Sequence, residues 1–342
     1  MTDALKVREF TQGAGQRSPD TPELMDVTEV NFIGKMVLDE VMELFATVMP
    51  PADTKEAMKG FIRSSKDIAQ LEGDEATLIS EQADAFVDVY YYMLNAAAKK
   101  GINVSAMFDI VHAANMAKRD PATGQFLKRE DGKIIKPAGW QPPDVKGEIV
   151  RQLADGAWGA STGIASARDA DHVREFTAGA GQPTPDKPCL MSAEEVKFLG
   201  KMVLDEVMEL FATVHPPAAA KAALCGFIDE SKDIARLPAG DEVHLISEQG
   251  DAIVDVYYYM LNAAAKKGVN LSALFHVVHA ANMAKRDPAT GRFLKREDGK
   301  IIKPAGWQPP DVKGEIVRQL REGAWVRDLE AVSSASTTPQ KC

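Results

Sequence analysis

Apolar residues along this chain recur at helical spacing, not in the alternation of a half-buried strand. Runs such as MVLDEVMELF and AFVDVYYYML keep a 3.6-residue period, and the short β-branched clusters lie inside that period. Four helices are predicted over the first 120 residues: about Thr28 to Val48, about 53–70, about 75–100, and about Ser105 to Arg119. Their stops are legible. Pro50-Pro51 ends the first, Gly101 follows the third as a C-terminal glycine, and Asp120-Pro121 follows the fourth. The lead VREFTQGAGQRSPDTP, 7–22, is punctuated by Gly and Pro and reads as extended. After the fourth helix a Gly/Pro-rich stretch with GKIIKPAGWQPPD at its centre reads as an ordered wrapping tail with a short terminal helix. The fold class expected is all-α.

The whole pattern then repeats. GKMVLDEVMELFATV at 34–48 recurs letter for letter at 200–214, and residues 112–153 recur at 279–320 with one change, Gln125 to Arg292. A period near 166 residues is too long for a solenoid and marks a duplicated domain. The expected organisation is a first four-helix copy over 1–153, a linker over 154–172 rich in Ala, Gly and Ser, a second copy over 173–320, and a flexible end over 321–342. The second copy's first helix starts Ser192-Ala-Glu-Glu195, which fits a capping box.

Composition narrows the class. With 342 residues, 45% hydrophobic and 26% charged, the chain reads as an ordinary soluble globular protein. A net charge of −10 argues against general nucleic-acid binding, and no basic segment suggests a membrane surface. The start MTDALKVREF carries no apolar signal core, and no apolar run reaches a membrane span. Cys189, Cys225 and Cys342 form neither a disulfide framework nor a zinc set, so a reducing, cytoplasmic setting is expected.

Two acid sets carry the candidate chemistry. Glu40 and Glu43 stand i, i+3 on the first helix; Glu81, Asp84 and Asp88 stand i, i+3, i+7 on the third. The second copy repeats them as Glu206 and Glu209, then Glu248, Asp251 and Asp255. A solvated stripe is the plain alternative, and Lys35, Asp39 and Thr47 on the same side favour it. Against it, no base follows four residues after Glu40 or Glu81, where Leu44 and Ala85 stand. Stacked acids on otherwise apolar helices repel unless a cation lies between them, and hard oxygen ligands suit magnesium or manganese.

The fourth helix supplies donors. His112, Asn115 and Arg119 share a face in HAANMAKR, with Lys118 beside them; Lys128, Lys133, Lys136 and Trp140 follow in the tail. Cations at a helix C-terminus are favoured by the macrodipole alone. Asn115, inside a helix that disfavours it, is the more telling residue. Folded back over the fourth helix, the tail lysines would close a site and hold a phosphate. Tyr90, Tyr91 and Tyr92 read mainly as core, with stacking of one of them on a base as the alternative.

Taken together, ExxE, ExxDxxxD and HxxNMxK on successive helices, a VxEF lead and a GKxxKPxxWxPPD tail resemble the MazG-like nucleoside triphosphate pyrophosphohydrolases, in the phosphoribosyl-ATP pyrophosphohydrolase-like branch. The quoted residues are Val7-Arg-Glu-Phe10, Glu81, Asp84 and Asp88, His112 to Lys118, and Gly132 to Asp144, repeated from Val173 to Asp311. Two departures stand out: Asp39-Glu40 where the family often has paired glutamates, and Lys35 where arginine is usual. The resemblance implies cleavage of a (deoxy)nucleoside triphosphate between its α and β phosphates. It implies Mg²⁺, or Mn²⁺, held by Glu40, Glu43, Glu81 and Asp84 and by their counterparts Glu206, Glu209, Glu248 and Asp251. Asp39 or Glu40, and Asp205 or Glu206, would orient or deprotonate the water. Asp88, His112, Asn115, Lys118, Lys133 and Lys136, with Asp255, His279, Asn282, Lys285, Lys300 and Lys303, would form the substrate site. Family members assemble from subunits, so the two copies are expected to form an internal pseudo-dimer. The near-identical motifs predict two sites of like preference, with specificity in the second helix and the loop at 71–78.

Two rival readings stand beside this one. A di-iron carboxylate bundle wants paired Glu-x-x-His motifs. The chain offers only Asp109-x-x-His112, and His276-x-x-His279 in its twin. The other rival is a helical module that binds nucleotides without cleaving them.

Overall fold

The computed structural model describes residues 1–129, 134–158, 168–238, 240–297 and 300–328. It is all-helical, and among the described residues β-structure is confined to isolated bridges such as Arg119 with Phe126. The first copy contains α1 (Asp3–Gly13), α2 (Val27–Ala46), α3 (Pro51–Ser64), α4 (Glu75–Lys99), α5 (Val104–Met116) and α6 (Val145–Asp155). The second contains α7 (Asp169–Gly179), α8 (Ala193–Ala212), α9 (Pro217–Glu230), α10 (Glu242–Lys266), α11 (Leu271–Met283) and α12 (Val312–Glu322).

The four expected helices per copy are present as α2 to α5 and α8 to α11, and their ends follow side-chain chemistry. Asp26 and Glu29 close a capping box on α2, and Ser192 and Glu195 close the one on α8. Pro51 and Pro217 start α3 and α9 at a position where a missing N–H costs nothing. Asp74 caps α4 by accepting from the backbone of Thr77.

Three expectations are corrected. The lead is not extended throughout: Thr2 caps α1, which buries Ala4, Val7 and Thr11, and the chain turns only at Gly15. Among the described residues each copy therefore carries six helices: the four expected, the short terminal helix of the tail, and the unexpected α1 or α7 in the lead. The linker is shorter than 154–172, because α6 runs to Asp155 and α7 begins at Asp169; residues 159–167 lie outside the described residues. The flexible end starts later than 321, since α12 continues to Glu322 and Trp325 is buried; residues 329–342, Cys342 among them, lie outside the described residues.

The two copies share one hydrophobic core. Their long helices are exchanged: α10 packs on α1, α2, α5 and α6, while α4 packs on α7, α8, α11 and α12. At the centre α4 meets α10, with the rings of Tyr90 and Tyr257 stacked at 4.4 Å and their hydroxyls 2.6 Å apart. Tyr90 also donates to Asp169 at 2.6 Å and Tyr257 to Asp3 at 2.8 Å, so the first turn of each copy is tied to both long helices. Glycines permit the closest approaches. A Cβ on Gly34 would lie 2.3 Å from the Phe211 ring, and one on Gly200 2.2 Å from Phe45. Gly101, at φ +69°, lets α4 end against the backbone carbonyl of Lys187; Gly268 does the same for α10 against Thr21. No helix among the described residues is long and apolar enough to cross a membrane.

Candidate active site

The exchange of long helices decides which acids meet. Glu40 and Glu43 on α2 do not face Glu81 and Asp84 of their own copy. They face Asp251 and Asp255 on α10, with Glu248 beside Glu43, and Tyr259 of α10 donates its hydroxyl to Glu40 Oε1 at 3.3 Å. The second set mirrors the first. Glu206 and Glu209 on α8 face Asp84 and Asp88 on α4, with Glu81 beside Glu209, and Tyr92 donates to Glu206 Oε1 at 3.3 Å. The expected ligand set Glu40, Glu43, Glu81 and Asp84 is thus split between two places. Each acid set draws one pair from one copy and three residues from the other.

Electrostatics mark both sets as strained for charge. Burial, then Asp255, Glu43 and Asp251, pushes the Glu40 carboxyl up to about 9. Burial, then Asp88 and Glu209, does the same to Glu206, also to about 9. Asp255 rises to about 7 through burial and its acidic neighbours, as does Asp88; Lys118 and Lys285 respectively pull them back. Asp251 rises to about 6, and Glu43, Glu209 and Asp84 are raised as well, burial being the first cause in each. The α2–α10 set carries one extra group: His244 Nδ1 lies 3.5 Å from Glu248, where the α4 counterpart is Thr77.

Donors arrive at one end of each acid row. Lys118 donates to Asn115 Oδ1 at 2.6 Å near Asp255, and Lys285 donates to Asn282 at 2.6 Å near Asp88. The tail folds back as expected: Trp140 donates its indole N–H to Ala114 O at 2.8 Å, and Trp307 to Ala281 O at 2.8 Å. Lys136 lies 4.1 Å over the Trp140 ring and Lys303 4.1 Å over Trp307, beside Lys118 and Lys285. Lys133 lies outside the described residues. Lys300 sits in the loop before that tryptophan, its carbonyl accepting from Arg296 N–H at 2.9 Å.

The remaining expected residues sit at the margins. Asp39 accepts from Ser231 at 2.7 Å and Asp205 from Ser65 at 3.1 Å, each toward the opposite copy's α9 or α3 end. His112 stacks on Phe108 and lies 3.3 Å from the Tyr258 hydroxyl; His279 stacks on Phe275, 3.3 Å from Tyr91. Both histidines belong to the aromatic core beside the site. Burial lowers His112 and, with His172 nearby, takes His279 down to about 4. Asp109 is held by Lys6 and Arg168, so the Asp109-x-x-His112 motif points away from the acids. The hydroxyl contacts of Tyr92 and Tyr259 with the buried glutamates are what sequence reasoning missed. The position of these tyrosines, four after Asp88 and Asp255, places them on the acid face.

The donor chemistry fits a divalent cation. Five carboxylates, all hard oxygens, line each row, and mutual repulsion with burial raises most of them. As the side chains stand, no three His, Cys, Asp or Glu groups among the described residues are gathered closely enough to hold a metal ion. Holding one would require the carboxylates to turn inward.

Residues 7–115 match the family described as phosphoribosyl-ATP pyrophosphohydrolase. Among solved structures, a protein from Exiguobacterium sp. 255-15 provisionally assigned as an NTP pyrophosphohydrolase is 28% identical. That match covers 46% of this chain and 98% of the other, with a TM-score of 0.40. No curated protein matches the chain. The matched stretch runs from the VxEF lead through both first-copy acid sets to Asn115, and over residues 7–115 the chain is similar to the phosphoribosyl-ATP pyrophosphohydrolase family.

Proposed function

We propose that the chain is a metal-dependent nucleoside triphosphate pyrophosphohydrolase, releasing a monophosphate and pyrophosphate, with two sites each assembled from both copies in an internal pseudo-dimer. The observation that carries this reading is the meeting of acid rows, α2 with α10 and α8 with α4, that run from a buried glutamate (Glu40 or Glu206) out to the surface, each with an Asn–Lys pair at one end. Glu43, Glu248 and Asp251 would hold Mg²⁺ in one site, with Glu209, Glu81 and Asp84 doing so in the other. Bound there, the cation would offset phosphate charge and lower the pKa of a coordinated water.

The protein's own groups do the rest. Glu40 is buried and oriented by the Tyr259 hydroxyl; its raised carboxyl would ionise only with a cation bound beside it, and the carboxylate so formed would take a proton from water. Asp39 is the weaker candidate because its carboxylate already accepts from Ser231. Lys118 and Lys136, stacked around Trp140, would bind the departing pyrophosphate as negative charge moves onto it. Glu206, Lys285 and Lys303 take the same roles in the second site.

A pyrophosphate-release screen over nucleoside and deoxynucleoside triphosphates with magnesium tests the reading. Turnover that is lost in the Glu43→Gln/Glu209→Gln protein supports it. Absence of turnover on every nucleotide would favour a module that only binds them.

A further inference from the structure

Along the groove between α4 and α8, beyond the acid row, lies a pocket of about 740 Å³. That size lies within the range typical of small-molecule sites. Tyr92 joins the two regions: its ring lines the pocket and its hydroxyl donates to Glu206. Phe198, 63% exposed, offers an open aromatic face, and Pro183, Cys189 and Met202 complete an apolar wall. Nothing in the acid chemistry uses these residues.

The same groove exists between α10 and α2, with the same backbone. Cys189 donates its N–H to Lys100 O at 2.9 Å, and its counterpart Glu23 donates to Lys267 O at 2.9 Å. The lining differs at five positions: Arg17 replaces Pro183, Glu23 replaces Cys189 and Thr28 replaces Glu194, while Ser18 and Ile33 stand for Thr184 and Leu199 with little change in character; Arg17 is ion-paired to Glu23. At the Pro183 and Cys189 positions one groove is therefore apolar, where the other carries a charged pair whose burial under a ligand costs desolvation.

Resting on the pyrophosphohydrolase reading, we propose that the two sites are unequal. The α4–α8 site takes the nucleoside half of its substrate into the apolar pocket against Tyr92 and Phe198, and the Arg17–Glu23 pair disfavours the equivalent position at the α2–α10 site. Continuity fixes the occupant. A nucleotide whose phosphates sit on the acid row has its base within reach of this wall, and an aromatic face is the natural surface for a base to stack on.

Two measurements test it. First, the wild-type protein is alkylated with iodoacetamide in the presence of magnesium and α,β-imido deoxycytidine or deoxyadenosine triphosphate, and each cysteine is followed by peptide mass spectrometry. Cys189 should be protected severalfold while Cys225, on α9, is unchanged. Second, KM is compared between Glu43→Gln/Asp251→Asn, which leaves the α4–α8 site, and Glu209→Gln/Asp84→Asn, which leaves the other. The first should show a KM lower by about tenfold, the size expected from burying one polar pair. Adding Pro183→Arg/Cys189→Glu to it should raise KM toward that of the second. Equal KM values, or an unprotected Cys189 in a protein that turns over nucleotide, overturn the inequality. If Cys189 is protected but no nucleotide is cleaved, the pocket stands and the hydrolytic reading falls.

Discussion

The hydroxyl of Tyr259 lies 3.3 Å from Oε1 of Glu40, a contact between residues 219 positions apart and in different copies of the repeat. Its twin joins Tyr92 to Glu206. These contacts fix the pairing of helices around each acid row, and most of what can be measured follows from that pairing.

Crosswise pairs of substitutions should behave unlike same-copy pairs. Glu43→Gln with Asp251→Asn damages a single site, so about half of kcat should survive if both sites turn over alike. Glu43→Gln with Asp84→Asn damages both and should leave less than about 1%, the scale of losing a metal-bound water's activation. Steady-state pyrophosphate release on the two proteins decides the pairing. Survival in the same-copy pair and loss in the crosswise pair would mean each copy builds its own site.

Gly34→Ala sets two effects against each other. Replacing a helical glycine gains up to about 1 kcal/mol from propensity. A Cβ 2.3 Å from the Phe211 ring forces repacking that costs roughly 1–3 kcal/mol. The clash should win and lower the melting temperature. Gly34→Ala with Phe211→Leu should recover part of the loss, which calorimetry on the three proteins would show.

The Asp169 carboxyl gives a pH signature away from the acid rows. Burial raises it from an ordinary value of 3.8 to about 7 despite the hydrogen bond from Tyr90. The folded protein thus holds a proton that the unfolded chain has released between about pH 4 and 7, so Asp169 lowers stability as pH rises through that window. Denaturant titrations in metal-free buffer should show a slope that is shallower in Asp169→Asn, by at most about 1.4 kcal/mol per pH unit. An unchanged slope would show that Asp169 ionises as it does in water.

Residues 1–158 expressed alone should associate into a homodimer. Separated from the second copy, α4 loses α7, α8, α11 and α12, and the near-identical elements of a second molecule are the obvious replacement. Light scattering after size exclusion reads the mass. A folded monomer would show that a single copy can bury α4 by itself.

Much of this was legible in the sequence, for reasons that differ by element. The acid rows, the capping box at Ser192 and the return of the tail through Trp140 each rest on local chemistry, and local chemistry is what spacing reports. The first helix was hidden because Gly13 ends it with Gly15 and Pro19 just beyond, and the apolar positions Ala4 and Val7 that define its inner face straddle the start of the recognised motif. The exchange of α4 and α10 was beyond reach of pattern. The two helices are nearly identical, so either satisfies the apolar face of α2 or α8, and only the path of the connecting segments selects between them.

The separate encoding of the two lead segments has a consequence for how such a protein can change. In an assembly of two identical chains every substitution appears in both halves at once, so the paired pockets are condemned to symmetry. Here Arg17 and Glu23 are written apart from Pro183 and Cys189, and each groove can drift on its own. The acid rows have the same liberty residue by residue, since no carboxylate serves both rows, but losing a whole half would remove part of each row. The fold thus makes each half indispensable to both reactive centres while leaving every single position free to diverge from its twin.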